Sequence, residues 1–156
     1  MGTDKPDLAN DNLINNVVNQ WLAERRAFLA QYGNLANIKT FKAENTMHGE
    51  SVQEFCQSMV DYLSRVHFEV FEKLLSSQSF VSRPEHQHQL ISLIEKVEMT
   101  TGSLLDFNDK YLAIDDLDAL TEDLSSLGEA LAQRFELEDE VIALSHSLIS
   151  DGDSAS

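Results

Sequence analysis

The most informative stretch of the sequence runs from Glu54 to Leu75 and reads EFCQSMVDYLSRVHFEVFEKLL. Its apolar residues recur every three or four positions, which places them on one side of a helix that turns about 100° per residue. One polar side chain falls among them. The members of this stripe are Val52, Phe55, Cys56, Met59, Val60, Leu63, Val66, His67, Val70 and Leu74. The pattern predicts a long helix that packs against a hydrophobic core.

The far flank of the same helix carries an aromatic ring where solvated charges are expected. Its members are spaced i, i+4, i+7, i+11 and i+18, and they are Gln57, Asp61, Ser64, Phe68 and Leu75. A carboxylate beside an exposed aromatic ring indicates a surface that binds a partner. The alternative is that Phe68 packs beneath the connection formed by residues 36–49.

Four long helical patterns occur along the chain, without the alternation that is typical of strands. The capping-box pair Ser51 and Glu54 predicts the start of helix two, and Pro84 predicts the first turn of helix three. Helix four is predicted to begin at Asp115 or Asp116. The predicted ranges are 11–35, 51–77, 84–111 and 115–149, with Gly33 and Asn34 marking the end of helix one.

Long helices joined by short links predict an all-α fold, namely a mostly antiparallel up-down four-helix bundle. The length of 156 residues is enough for one domain with a substantial core. This domain is predicted to occupy residues 11–149, between disordered tails at residues 1–10 and 150–156.

The chain is strongly acidic, with a net charge of −16 from 27 acidic and 11 basic side chains. Nucleic acid and anionic membranes are therefore not expected as ligands, because both require clustered Lys and Arg. Residues 115–149 alone hold ten Asp or Glu and one Arg. Their charge either keeps the surface soluble or attracts a basic protein partner, and both effects can hold together.

A single cysteine, Cys56, excludes an internal disulfide and a cysteine-rich zinc site. Residues 1–12 lack the pattern of a signal peptide, and no apolar stretch is long enough for a membrane helix. We therefore expect a cytoplasmic protein.

Three polar side chains fall on predicted apolar faces: Arg25, His67 and Glu138. They are predicted to form a buried cluster, since an unpaired buried charge is costly. The cluster is either a satisfied network that fixes the register of the helices or a polar cavity for a metal ion or a small molecule. We expect no cofactor, because only one Glu-x-x-His pair occurs, Glu85 and His88, whereas a di-iron bundle requires two. Catalytic spacings of Ser, His and Asp and glycine-rich phosphate loops do not occur either, so an enzyme is not expected.

Three long segments resemble the Rsd/AlgQ family of bacterial regulators of the primary sigma factor. They are residues 54–75, the segment WLAERRAFLAQYGNLANIK at 21–39, and LSSLGEALAQRFELEDEVIAL at 124–144. The likeness extends over most of residues 17–145, in matching order, and is strongest in helix two.

The resemblance implies a non-catalytic anti-sigma factor with a helical-bundle fold. It implies binding to the C-terminal region of the primary sigma factor, which recognises the −35 promoter element, and sequestration of that factor from core polymerase and promoter DNA. This partner agrees with the acidic charge, because a helix-turn-helix that binds DNA is basic. For some relatives, the resemblance also implies binding to a sugar-phosphotransfer carrier protein and an influence on a ppGpp synthetase-hydrolase.

The resemblance also implies which residues contact the sigma factor. The DYLSxxHF run of the family corresponds to Asp61, Tyr62, Leu63, Ser64, His67 and Phe68 of this chain. Of these, Asp61, Ser64 and Phe68 are predicted contacts, with Gln57 and Phe71 nearby. Where the family has small residues between the Ser and the His, this chain has Arg65 and Val66.

Overall fold

The structure, a computed structural model, describes residues 4–38, 46–111 and 117–155. This part of the chain is helical and contains no strand, which confirms the all-α prediction. The helices are α1 (Asp4–Ala36), α2 (Thr46–Arg65), α3 (Glu72–Ser76), α4 (Gln78–Val81), α5 (Pro84–Met99), α6 (Thr101–Tyr111) and α7 (Leu120–Ala155), and a π-helical turn, Val66–Phe71, joins α2 to α3.

Helix α1 is the first long element of the core. It continues beyond the predicted end at Gly33 and Asn34 and stops at Ala36, where the amide of Asn37 still donates to the carbonyl of Gly33 at 3.0 Å. Its apolar face is buried because residues three and four positions apart share one side of a helix. The buried residues are Ile14, Val17, Val18, Trp21, Phe28 and Leu35.

Helix α2 begins earlier than the capping-box pattern predicts. It starts at Thr46, so Ser51 and Glu54 lie more than one turn inside the helix and do not cap it. The helical course then runs through the π-turn and α3 until Ser77, whose extended backbone (φ −67°, ψ 143°) ends it. The predicted end near Ser77 agrees with this position.

The predicted third helix is divided in two. Pro84 occupies the first turn of α5, as predicted. The helix breaks at Thr100, where the hydroxyl of Thr100 donates to the Val97 carbonyl at 2.6 Å and satisfies one of the carbonyls that a helix end exposes. Helix α6 then continues to Tyr111.

Helix α7 supplies one long wall of the core, with leucines buried from Leu120 to Leu148. The predicted start at Asp115 or Asp116 lies outside the described residues. Residues 4–10 and 150–155, which the sequence predicts to be parts of disordered tails, are helical in the structure. The boundaries of the predicted domain stay a prediction.

The long helices pack around one hydrophobic cluster. Helix α7 contacts α1, α5 and α6, while α2 contacts α1 and α6. Stacked rings fill the centre, with Phe28 lying 5.4 Å from Phe55 and 5.3 Å from Tyr62 between centroids. The four-helix count is not confirmed, because the second and third predicted helices are each interrupted. In the described part of the chain, no helix is long and apolar enough to cross a membrane.

Candidate partner-binding surface

The outer side of α2 carries the predicted contact residues Gln57, Asp61 and Ser64, and the π-turn that follows carries Phe68 on the same side. All four are exposed, and the ring of Phe68 stands out because 60% of it is accessible to solvent. The Gln57 amide donates to the Asp61 carboxylate at 3.0 Å, which fixes the orientation of both side chains along the helix. We call these four residues the outer ridge.

The ring of Phe68 is held by its neighbour in the π-turn. The His67 ring meets it edge to face with centroids 4.6 Å apart, and the Nδ1 atom of His67 lies 2.7 Å from Oε1 of Glu98 on α5. In the alternative, Phe68 packs beneath the connection formed by residues 36–49, of which 39–45 lie outside the described residues. In the structure, Phe68 is 60% exposed. An accessible apolar ring with a fixed orientation has the properties of an anchor for a protein partner.

His67 does not belong to the buried polar cluster. Its side chain is 48% exposed and pairs with Glu98. The buried side of α2 is rotated toward Tyr62, which is 5% exposed. His67 therefore lies at the opposite edge of that buried side, where solvent reaches it. This corrects the prediction that His67 lies on the core face.

Phe71 is also placed differently from the prediction. It is 2% exposed and meets the ring of Trp21 edge to face, with centroids 5.8 Å apart. The π-turn contains more residues per turn than an α-helix, so it rotates the residues that follow it back toward the core. Phe71 therefore supports the surface from below and is not available to a partner.

Charged side chains connect the outer ridge to α1. The guanidinium of Arg65 donates to Glu24 at 2.9 Å and lies 4.0 Å from Glu69. The hydrogen bond to Glu24 raises the pKa of Arg65, so this side chain stays charged. Because Glu24 neutralises Arg65, the exposed carboxylate of Asp61 on the same side keeps its attraction for a cationic partner.

A buried polar network lies beneath this surface. Glu138 is fully buried and accepts hydrogen bonds from Tyr62 Oη at 2.6 Å and Arg134 Nε at 2.8 Å, while Arg25 Nη1 lies at 3.4 Å. Arg25 also donates to Asp139 at 2.7 Å. The structure thus brings Arg25 and Glu138 together, as predicted.

Arg134 and Tyr62 were not predicted as members of this network. Arg134 is 1% exposed and lies four residues before Glu138 on the same face of α7, a spacing at which opposite charges meet. That spacing was the available signal in the sequence. Tyr62 connects the network to α1, because Trp21 Nε1 donates to its hydroxyl at 2.9 Å.

Burial and charge act in opposite directions on this network. Burial raises the pKa of the Glu138 carboxyl above its ordinary value, although Arg134, the Tyr62 hydrogen bond and Arg25 each lower it. Burial, together with the neighbouring Glu138, raises the pKa of Tyr62, so its hydroxyl stays protonated and donates. Each of these polar groups therefore has a partner of the opposite kind.

Arg134 also reaches the break between α5 and α6. Its Nη1 atom lies 3.3 Å from the hydroxyl of Thr100 and 3.2 Å from that of Thr101. The network therefore connects α7 to α1, to α2 and to the junction of α5 and α6. Among the described residues, no buried side-chain nitrogen or oxygen lacks a hydrogen-bond partner.

The described residues contain no group of three or more His, Cys, Asp and Glu side chains that could hold a metal ion. Glu85 and His88, the single Glu-x-x-His pair, lie in the exposed first turn of α5. The residues that the structure describes thus fit a satisfied network better than a ligand cavity.

Comparison with known proteins identifies the chain's relatives. Residues 9–146 match the family described as regulator of RNA polymerase sigma(70) subunit, Rsd/AlgQ. The chain is 35% identical over 139 residues to a regulator of sigma D from Pectobacterium carotovorum, covering 83% of this chain and 88% of that protein. It is 36% identical over 143 residues to one from Salmonella arizonae, covering 88% of this chain and 86% of the relative.

Proposed function

The chain belongs to the Rsd/AlgQ family of regulators of the RNA polymerase sigma(70) subunit, which confirms the resemblance, and from this premise we propose that it is an anti-sigma factor. In this proposal the protein binds the C-terminal region of the primary sigma factor and sequesters it from core polymerase and promoter DNA. It acts in the cytoplasm, by stoichiometric binding and without catalysis. A mostly antiparallel up-down arrangement of four helical units, with its core in residues 11–149, is part of the same proposal.

One observation carries this proposal: the 60% exposed ring of Phe68 lies on the outer ridge with Asp61 and Ser64. The ridge belongs to the segment in which the family resemblance is strongest. An aromatic ring next to polar groups is the common composition of an interface hot spot. Phe68 supplies apolar burial, and Asp61 accepts charge-assisted hydrogen bonds from an Arg or Lys of the partner.

The charge of the chain supports a basic partner. With a net charge of −16, the protein attracts the helix-turn-helix of the sigma factor, which is basic because it binds DNA. Attraction of this kind raises the association rate more than it raises the lifetime of the complex. The apolar contact of Phe68 then slows dissociation.

The test is a calorimetric titration of the full chain with the isolated C-terminal region of the primary sigma factor at two salt concentrations. We expect one-to-one binding that weakens at the higher salt concentration. Phe68→Ala should weaken binding by about 2 kcal/mol, or roughly 30-fold, because hot-spot rings contribute at least that much. Asp61→Asn should weaken it less and reduce the dependence on salt.

Val81→Ala is the matched control, because Val81 is an apolar side chain, 47% exposed, that belongs to α4 and not to the outer ridge. Its affinity should equal that of the unaltered chain. Absence of binding at both salt concentrations would refute the proposed function. Equal affinities for Phe68→Ala and the unaltered chain would refute the proposed surface but not the partner.

The resemblance implies two further partners for some relatives, a sugar-phosphotransfer carrier protein and a ppGpp synthetase-hydrolase. Both stay predictions for this chain. The same titration with either protein tests them.

A further inference from the structure

The spacing of buried residues changes by one position within the second helical unit. Before the change, the buried positions follow the α-helical pattern i, i+3, i+4 and i+7, with Met59, Tyr62, Leu63 and Val66. After Val66, the next buried positions come four, five and eight residues later instead of three, four and seven. They are Val70, Phe71 and Leu74.

The chain therefore contains one residue more than a regular α-helix with this core would need. The additional residue lies among His67, Phe68 and Glu69, all of which are exposed. The π-turn at Val66–Phe71 accommodates it, since a π-helical turn closes over one residue more than an α-helical turn. Such turns are rare in proteins and occur often at functional sites.

We infer that the π-turn is a positioning element of the partner-binding surface, and that its additional residue sets how far the ring of Phe68 projects from the outer ridge. This inference rests on the proposed function. The wider turn moves His67, Phe68 and Glu69 away from the helix axis. A turn shortened by one residue would keep the Phe68 ring on the side of Asp61 and Ser64 but draw it back toward the axis.

The core does not need the additional residue. If Glu69 is removed, Val70, Phe71 and Leu74 come three, four and seven residues after Val66, which is the pattern of an unbroken α-helix. The Glu69 side chain is 57% exposed, and its ion pair with Arg65 is long at 4.0 Å. An exposed pair of this kind contributes little to stability.

Contacts on both flanks keep the turn in one orientation. On one flank His67 bonds Glu98 of α5 at 2.7 Å and supports the Phe68 ring from the side. On the other flank Arg65 bonds Glu24 of α1 at 2.9 Å. The ring thus projects from a turn that is attached to two neighbouring helices, and this pre-organises it for binding.

The test compares four proteins: the unaltered chain, the chain with Glu69 deleted, Glu69→Gln and Phe68→Ala. Glu69→Gln is the matched control, because it removes the same charge while keeping the length of the turn. Thermal unfolding, with near-ultraviolet circular dichroism of the Trp21 environment, reports the fold. Calorimetric titration with the isolated C-terminal region of the primary sigma factor reports binding.

We expect the deletion to unfold cooperatively at a temperature equal to or above that of Glu69→Gln, with its core spectrum retained. Its affinity should fall at least about tenfold, close to the loss for Phe68→Ala, while Glu69→Gln stays within about twofold of the unaltered chain. If the turn had only a structural role, the deletion variant would lose stability and keep its affinity for the sigma-factor region.

Three outcomes would overturn the inference. A deletion variant that does not fold, or that unfolds well below Glu69→Gln, would show that the core needs the additional residue. A folded deletion variant with unchanged affinity, while Phe68→Ala binds weakly, would refute the positioning role and leave the proposed function intact. Absence of binding by the unaltered chain would refute the proposed function, and the inference with it.

Discussion

Replacement of Gly128 by alanine should destabilise the fold, although alanine is ordinarily the better residue inside a helix. Gly128 lies within α7, where Tyr32 of α1 approaches closely enough that an added Cβ would overlap the tyrosine oxygen and lie 3.1 Å from its Cζ atom. The Tyr32 hydroxyl donates to the carbonyl of Leu124 at 2.8 Å. This is the carbonyl to which the Gly128 amide points in a regular α-helix. The glycine is therefore what allows the ring to reach it.

The expected magnitude follows from three terms. Alanine in a helix interior contributes up to about 1 kcal/mol relative to glycine. Against this, the Tyr32 ring must move off the added Cβ, which loses its hydrogen bond at about 1 kcal/mol and displaces a ring packed against Phe55 at roughly 1–3 kcal/mol. The net expectation is a destabilisation of about 1–3 kcal/mol for Gly128→Ala.

Urea unfolding measures this effect, and a control is available in the same chain. Gly102 lies in α6 with no atom within 4 Å of the added Cβ, so Gly102→Ala should stabilise the protein by about 0.5–1 kcal/mol. Adding Tyr32→Phe to Gly128→Ala should recover part of the loss, because it removes the overlapping oxygen. A Gly128→Ala variant at least as stable as the unaltered chain would refute the close approach of α1 and α7.

Two further predictions concern charged side chains. Glu138→Gln should destabilise the fold by about 3–5 kcal/mol in urea unfolding, since it leaves the buried Arg134 without its charge partner. The control is Glu140→Gln at an exposed position, which should change stability by less than about 0.5 kcal/mol. Equal values for the two variants would contradict a buried ion pair. Burial raises the pKa of Asp123, but hydrogen bonds from Lys110 and Tyr111 outweigh it and hold the pKa below its usual range. This carboxylate therefore contributes stability above its ordinary pKa near 4, and the contribution is lost as the pH falls through the lower folded pKa. The difference in stability between the unaltered chain and Asp123→Asn should accordingly be constant from about pH 7 to pH 5 and shrink as the pH falls below about 4. A difference that grows toward acid pH would contradict the assignment.

Periodicity was sufficient to predict the all-α class and most of the core face of the second helical unit. Met59, Leu63, Val66 and Val70 were all expected in the core and are all buried. The reason is physical, because an α-helix has a constant turn angle and a two-sided environment sorts residues by phase. The exposed positions of Asp61, Ser64 and Phe68 follow from the same rule.

A constant turn angle could not predict the π-turn, and the wrong placement of Phe71 originates there. At a fixed angle Phe71 falls on the outer side, whereas it is buried in the structure. His67 was misplaced because the buried side of α2 includes Tyr62, which the predicted stripe left out. The spacing that reveals the π-turn was nevertheless present in the sequence. The apolar pair Val70 and Phe71 follows Val66 one residue later than the pair Tyr62 and Leu63 follows Met59.

The buried network was predicted in part, because charged residues on an apolar face are visible in the sequence whereas their partners are not. Arg25 and Glu138 were identified by phase. Arg134 could have been identified by its i, i+4 spacing from Glu138. The part played by Tyr62 depends on how α1, α2 and α7 approach one another, and no local pattern records this.

Tyr62 connects the core of the protein to the proposed binding surface. In the sequence it lies between Asp61 and Ser64 of the outer ridge, yet its side chain points into the core. There its hydroxyl accepts a hydrogen bond from Trp21 and donates one to Glu138. Because hydrogen bonds have a preferred direction, the two at the Tyr62 hydroxyl fix the rotation of α2 about its own axis. Apolar packing alone fixes this rotation less strictly, because it has no directional preference. The direction in which Asp61 and Ser64 face follows from that rotation, and in our inference the π-turn determines how far Phe68 projects beside them. The buried polar groups therefore set the orientation of the proposed binding surface through one helix.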